Sequence, residues 1–490
     1  MLPEDTLLEI FDIYRLDTMV WSRDGHRWDW LRLAHVCRRW RDVISISPHR
    51  LDLWILCKSG APIERILGSW LSVPLIVRFK AGPAESSSSS SRELPDNIVA
   101  ALRHWDRICE LDLGVTRPLA GSIIEVIHEP VQALKSIRVT INNATGPPIL
   151  IRNSLLGGSA PHLREIKLDG IAFPFPAVRQ VLSSTNNLVE LHLSNIPNDA
   201  YFSPDDLITT LSTLVHLKSL TVGFHSPASR PTPSLSITHR LGSPTKRTTT
   251  LSSLTLLEFH GASEYLEELV GQIHLPSLRK ISIKFFNQIL FEIPQFCRFL
   301  PRLNALGLGS GSPTWIFVTH SAESVSVTFV QEGKPSNENC SLGTSCRRLD
   351  WQLSFVTQIT SQLSPFIFLS SNVHSLSIKK AYNSEMPPSA AAAVGDEQQP
   401  QPQQDVESDL AQQWLDLFRP FRHLTQVHVW EKRLVPAIVH ALVTAAAGAV
   451  LPELSSLHLS GYRKSPSVAK AAEEFVAARK LAGRTVRLIG

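Results

Sequence analysis

One pattern recurs through most of this 490-residue chain: L-x-x-L-x-L, with isoleucine, valine or phenylalanine tolerated at the leucine sites. It reads ICELDL (108–113), LKSIRV (134–139), LREIKL (163–168), LVELHL (188–193), LKSLTV (217–222), LTLLEF (254–259) and LRKISI (278–283). It continues as LNALGL (303–308), CRRLDW (346–351), VHSLSI (373–378), LTQVHV (424–429) and LSSLHL (454–459). Weaker copies are LIVRF (75–79), AESVSV (322–327) and the terminal TVRLIG. Most starts lie 24 to 30 residues apart. Each copy is a short strand with apolar residues on one side, and no single copy can bury that side alone.

Stacking copies buries a continuous core, and this spacing is the leucine-rich-repeat period of one strand and one returning helix or loop per unit. Between the strands, PAVRQVLSS and EYLEELVGQI have helical spacing. The expected fold is therefore α/β: a small N-terminal helical module, then an irregular leucine-rich-repeat solenoid with a curved parallel sheet and helices on the convex side. Most units lack the asparagine that typical repeats carry after the third leucine, which makes them irregular. Polar, Ser-, Pro- or Gln-rich insertions near 83–94, 225–250 and 386–408 cannot pack a core and are expected as loops. Two of them lengthen the spacing, to 37 residues after the strand at 217 and 51 after that at 373.

The first sixty residues differ. In LPEDTLLEIFDIY, Pro3 suits a first helical turn, Glu4 and Asp5 complement the dipole, and Leu7, Ile10, Phe11 and Tyr14 recur at helical spacing. This predicts a helix over 3–14. In LRLAHVCRRWRDVI (31–44), Leu33, Val36, Cys37, Trp40, Val43 and Ile44 form one apolar stripe, which predicts a second helix ended by Pro48. LDLWIL then returns Leu51, Leu53 and Trp54 toward the others. A unit of roughly 50 residues buries too little apolar surface to be stable alone, so these faces are expected to dock a partner's helices.

Leu2-Pro3-Glu4, Leu7-Leu8-Glu9-Ile10-Phe11, Leu33, Val36-Cys37-Arg38-Arg39-Trp40-Arg41 and Leu51 to Trp54 resemble the F-box, the adaptor-binding module of cullin-RING ubiquitin ligases. The continuation is similar to F-box proteins of mushroom-forming fungi. The resemblance implies that Leu2, Pro3, Leu7, Ile10, Phe11, Val36, Cys37 and Trp40 contact a Skp-type adaptor. It also implies a chain divided into an F-box (1–55) and a repeat domain (56–490), acting as the substrate receptor of a Skp-cullin-F-box ligase. The connection over 13–30 is longer than the plain motif has, and a motif starting at residue 2 leads us to expect a few residues upstream. The alternative is a repeat scaffold unconnected with ubiquitin, its N-terminal helices serving as a cap.

No motif for catalysis stands against either reading. GLGSG (307–311) lacks the third glycine of a dinucleotide fingerprint and the lysine of a P-loop, so it reads as a repeat turn. Cys340 and Cys346 lack companion ligands, and no metal or other cofactor is expected. The six cysteines form no C-x-x-C pair and the N-terminus is acidic without a long apolar run, which fits a reduced chain of the cytoplasm or nucleus. The apolar window 434–451 contains Pro436 and His440 and reads as a buried helix, not a membrane span. A net charge of +4 is too small to demand nucleic acid.

Residues between and just after the repeat leucines should face the concave side. They include Lys167, Asp169, His192, Glu258, His260, Lys284, Asp350, Gln352, His428 and Trp430. Mixed in sign, that face is expected to bind a protein target.

Overall fold

The computed structural model describes residues 2–21, 30–48, 54–57, 64–81, 95–117, 119–120, 123, 129–141, 148–151, 154–226, 248–287, 291–303, 314–331, 339–365, 373–380, 403–445 and 450–490. The chain forms two compact units, Met1–Ser243 and Pro244–Gly490.

In the first unit, α1 (Glu4–Trp21), α2 (Trp30–Ala34) and α3 (Arg38–Ile46) pack on one another. The expected single helix over 31–44 is thus two. The chain turns after Ala34, and Cys37 takes an extended backbone (φ −159°) with its Sγ accepting from the Trp40 N–H at 3.5 Å. The turn lets Leu33 and Ala34 on α2 and Val43 and Ile44 on α3 all bury, and it leaves Val36 outside. Ser72 Oγ donates to the Ser45 carbonyl at 2.9 Å and ties α3 to the start of the repeats.

The repeats begin with β1 (Ile55–Cys57), α4 (Glu64–Ser69), β2 (Leu75–Lys80), α5 (Asp96–Leu102), β3 (Ile108–Val115) and β4 (Ser136–Ile141). They continue through β5 (Ile149–Leu150), β6 (Glu165–Asp169), β7 (Ile171–Ala172), α6 (Phe175–Ser184), β8 (Glu190–Ile196), α7 (Pro204–Leu211) and β9 (Ser219–Phe224). The sheet order is β1-β2-β3-β4-β6-β8-β9, parallel throughout, with β5 and β7 as a separate parallel pair. Val77, Leu111, Ile137, Ile166, Leu191 and Leu220 fall in one register row, and Phe79, Leu113, Val139, Leu168, Leu193 and Val222 in the next. All are buried. Each repeat thus sets its apolar residues on those of the repeat before, at about 1.5–3 kcal/mol per large side chain removed from water.

α6 buries Phe175, Val178, Val181 and Leu182 beside this core, and α7 opens with a reciprocal capping box between Ser203 and Asp206. Arg107 gathers backbone carbonyls at the N-terminal end, its Nη2 donating to Val73 at 2.9 Å and to Trp70 at 2.5 Å. Trp54 is buried with Leu56, Ile76 and Cys109, so it packs with the repeat strands.

The second unit contains β10 (Thr249–Thr250), β11 (Leu256–Gly261), α8 (Ser263–Val270), β12 (Ile273–His274), β13 (Lys280–Phe285), α9 (Pro294–Phe299), β14 (Thr314–His320), β15 (Ser324–Gln331) and β16 (Cys340–Ser345). After these come α10 (Leu349–Leu363), β17 (Val373–Lys380), α11 (Gln403–Phe418), β18 (Gln426–Val429), α12 (Val435–Thr444), β19 (Ser456–Leu459), α13 (Pro466–Leu481) and β20 (Arg487–Ile489). The order β11-β13-β16-β15-β14-β17-β18-β19-β20 is parallel except where β15 runs against β14 and β16.

Here the repeat reading needs correction. CRRLDW is not a strand. Leu342 of β16 stands in register between Ile283 and Val327, filling the inward position, while Leu349 onward forms α10 with Leu353, Val356, Ile359 and Leu363 buried. β14 was not expected, AESVSV supplies an antiparallel strand, and all of LNALGL beyond Leu303 lies outside the described residues, as does GLGSG.

Most of the three expected insertions likewise falls outside the described residues. Their edges do not: Thr249–Thr250 pairs with β12, and 403–408 belong to α11.

α8 packs on α9, and α10, α11, α12 and α13 pack in succession. Glu267 of α8 accepts from the N–H groups of Gln295 (2.7 Å) and Phe296 (2.8 Å), capping α9 from another repeat. Arg479 of α13 is fully buried, its Nη2 donating to the Leu451 carbonyl at 2.5 Å. The two units thus have a leucine-rich-repeat-like fold, interrupted by one antiparallel excursion.

Candidate binding faces

Around α1 to α3 the eight expected adaptor contacts separate into two groups. Leu7 and Phe11 are buried in the chain's own packing, with Phe11 1% exposed. They belong to the core, because α2 and α3 both close on α1, and they can serve a partner only by holding its surface in place. Leu2 (50% exposed), Pro3, Ile10, Val36 (58%) and Cys37 are exposed, and Trp40 is half-buried with its ring edge-to-face on Phe11 at 5.0 Å. Arg39 Nη2 donates to the Leu2 carbonyl at 2.6 Å, drawing the N-terminus onto α3. Ile13 and Ile46 (75%) add exposed apolar surface that sequence reasoning did not single out.

On the outward face of the first sheet, Arg78, Asp112, Arg138, Lys167, His192 and Thr221 share one register row. Glu110, Ser136, Glu165, Glu190 and Ser219 form the row beside it. The expected contacts Lys167 and His192 are therefore cross-strand neighbours.

Several charges on this face are answered locally. Arg138 binds Glu165 through both Nε (2.5 Å) and Nη2 (2.8 Å), Ser136 Oγ donates to the same carboxylate, and Arg78 meets Glu110 at 3.3 Å. The hydrogen bond to Glu165 holds the Arg138 pKa above its usual value. Asn195 donates to Asp169 at 2.6 Å, and His192 Nε2 shares a hydrogen bond with Ser194 Oγ at 2.8 Å.

The second sheet's outward face is composed differently. Glu258, Ser282, Ser341, Thr328, Phe317, Ser377, His428, His458 and Ile489 form one row. Trp315, Ser375, Gln426, Ser456 and Arg487 form another. His260 and Lys284 are paired in register, and the His260 ring lies 4.9 Å from Phe286. His428 stacks on His458 at 4.1 Å and lies 6.4 Å from Trp430, which is 61% exposed. Burial, and then the neighbouring His458, push the His428 pKa down.

Two expected members are absent from this face. Asp350 sits on α10 paired with Arg348, and Gln352 is buried, donating to the carbonyls of Ser321 (3.1 Å) and Cys346 (2.6 Å). Both result from CRRLDW turning into a helix. Trp315 and Phe317 replace them, and the β-branched and aromatic run of TWIFVTH is the signal that would have found them.

A cleft of about 240 Å³ is lined by Phe286, Asn287, Phe291, Trp351, Ser354, Phe355 and Gln358, none of them titratable. Cys340 lies in β16, and both it and Cys346 are buried free thiols. Among the described residues no His, Cys, Asp and Glu cluster could hold a metal ion, and no helix is long and apolar enough to cross a membrane.

No protein-family model matches the sequence, and no curated protein matches it. A solved structure, the leucine-rich repeat-containing protein LegL7 from Legionella pneumophila, aligns with 86% of this chain and 97% of its own at 13% identity and a TM-score of 0.28. The repeat architecture of this chain rests on its own ladders of buried leucine, isoleucine and valine, not on that neighbour.

Proposed function

We propose that this chain is the substrate receptor of a Skp-cullin-F-box ubiquitin ligase, α1 to α3 docking the adaptor and the repeat sheets holding a protein target. It makes and breaks no bonds itself. A target held beside the ligase meets ubiquitin-charged enzyme at raised effective concentration. The observation that carries the reading is the apolar surface that α1 to α3 leave uncovered: Leu2, Ile10, Ile13, Val36 and Ile46 exposed, with Trp40 half-open beside them. Apolar side chains gathered on so small a helical module suit a partner's helices. A cytoplasmic or nuclear place accords with that role.

Co-expression with a Skp-type adaptor tests this. Val36→Asp and Trp40→Ala should each abolish co-purification while the chain stays folded, since truncating a central aromatic anchor typically costs at least about 2 kcal/mol. Capture that persists in both variants would leave the coarser reading, a leucine-rich-repeat-like protein-interaction scaffold with no tie to ubiquitin.

A further inference from the structure

From β13 to β20, the described residues of the second unit's strands include no aspartate or glutamate. Their outward face displays Lys280, Lys284, Lys379 and Arg487 together with Trp315, Phe317, His428, His458 and Ile489, and Trp430 follows directly on β18. Lys280 is answered by Glu258 of β11 at 3.9 Å. Lys284, Lys379 and Arg487 have no ion-pair partner among the described residues, and Lys379 Nζ rests over the Phe317 ring at 4.5 Å.

Other described carboxylates stand in turns and loops beside the strands. Glu323 pairs with Arg347 and Glu453 with His423, while Glu431 comes just after β18. Ser375 and Ser377 of β17 lie in register between the ring-bearing strands β14 and β18, both buried, and the Ser375 hydroxyl has no hydrogen-bond partner among the described residues.

Cations this sparse do not track a phosphate backbone, whose binding draws on many contacts at once. Single cations separated by aromatic rings match a polypeptide in which carboxylates alternate with apolar side chains. We propose that the outward face of the second unit's sheet, from β14 to β20, binds an acidic peptide segment of a partner protein. Its carboxylates lie against Lys379 and Arg487, and its apolar side chains against Trp315, Phe317 and Trp430. This deepens the reading of the repeats as target-binding and does not depend on the adaptor.

The test is fluorescence anisotropy of the full chain with a fluorescein-labelled random copolymer of glutamate and tyrosine. Saturable binding is expected, weakened roughly tenfold or more by Trp430→Ala and by the pair Lys379→Gln with Arg487→Gln. Lys470→Gln on α13, an exposed lysine away from both sheet faces, should leave it unchanged, and added salt should weaken it. No saturable binding, or an equal loss with Lys470→Gln, overturns the proposal. So does displacement of the copolymer by a lower concentration of oligothymidylate of equal charge, which would make the face a nucleic-acid surface. Adaptor capture is read separately, so its loss with copolymer binding intact removes the ubiquitin link alone.

Discussion

On the first sheet Arg138 stands in register between Asp112 and Lys167 and closes on Glu165, whereas on the second Lys379 lies over a phenylalanine ring and meets no carboxylate among the described residues. Both faces rest on the same kind of inward rows of leucine, isoleucine and valine. The difference lies wholly in residues that the repeat pattern leaves free. A face whose charges are paired within the chain has little electrostatic complementarity left to offer, while one whose cations are unanswered retains it. Ion pairing on the first sheet is thus chiefly structural, while Lys284, Lys379 and Arg487 of the second have no carboxylate partner among the described residues.

Cations without carboxylates reach their extreme in the second unit at Arg479. Burial, and then Arg484, lower its pKa, and its partners are backbone carbonyls at 450 and 451. Arg479→Ala should destabilise the second unit by about 2–3 kcal/mol in urea unfolding, because the carbonyls lose a charged donor and a large volume is emptied. A change below about 0.5 kcal/mol would show that water replaces the guanidinium at no cost.

Arg138→Ala comes next. Its pair is partly exposed and therefore screened, and removing it should cost the first unit about 1 kcal/mol, read from the same unfolding curves. No measurable loss would remove the structural role assigned to that face.

A smaller effect is expected from pH. His428 is faced by His458 on β19, by Ser377 and Lys379 on β17, and by Gln426 and Trp430 on its own strand and just beyond it. Its pKa is lowered below the ordinary 6.5, so the unfolded chain binds the proton more tightly than the folded one. The stability it contributes is present above pH about 6.5 and is lost as pH falls through the lowered value. His428→Gln should flatten that part of the profile, and an unchanged slope would assign the dependence elsewhere.

Smallest of all, Lys379→Gln should shift unfolding by less than about 0.5 kcal/mol, as expected of a cation that meets a ring and no carboxylate among the described residues. A loss comparable with that of Arg138→Ala would erase the distinction between the faces.

The rows of buried leucines are readable from sequence because apolar residues recurring at fixed spacing leave one way to hide them, by stacking. CRRLDW shows where that reading stops. Its spacing satisfies strand and helix alike, and Leu342 of the neighbouring CSLGTS, with a single leucine, occupies the inward position instead. The stripe through 33–44 shows the same ambiguity, since α2 and α3 each bury one end of it and Val36 between them is left exposed. Phe11 and Leu7 are recognisable as anchors, yet whether an anchor faces a partner or its own core depends on which helices close over it.

Periodicity alone determined that the chain must stack short strands into leucine-rich-repeat-like units and that a separate helical module precedes them. Only the tertiary structure decided which charges neutralise one another and which stay open. Cross-strand register brings Glu165 to Arg138 from 27 residues away and gives Lys379 a ring in place of a carboxylate. Register is fixed by the packing of inward side chains, so the outward partnerships are a consequence of the core and are written in no local stretch of sequence.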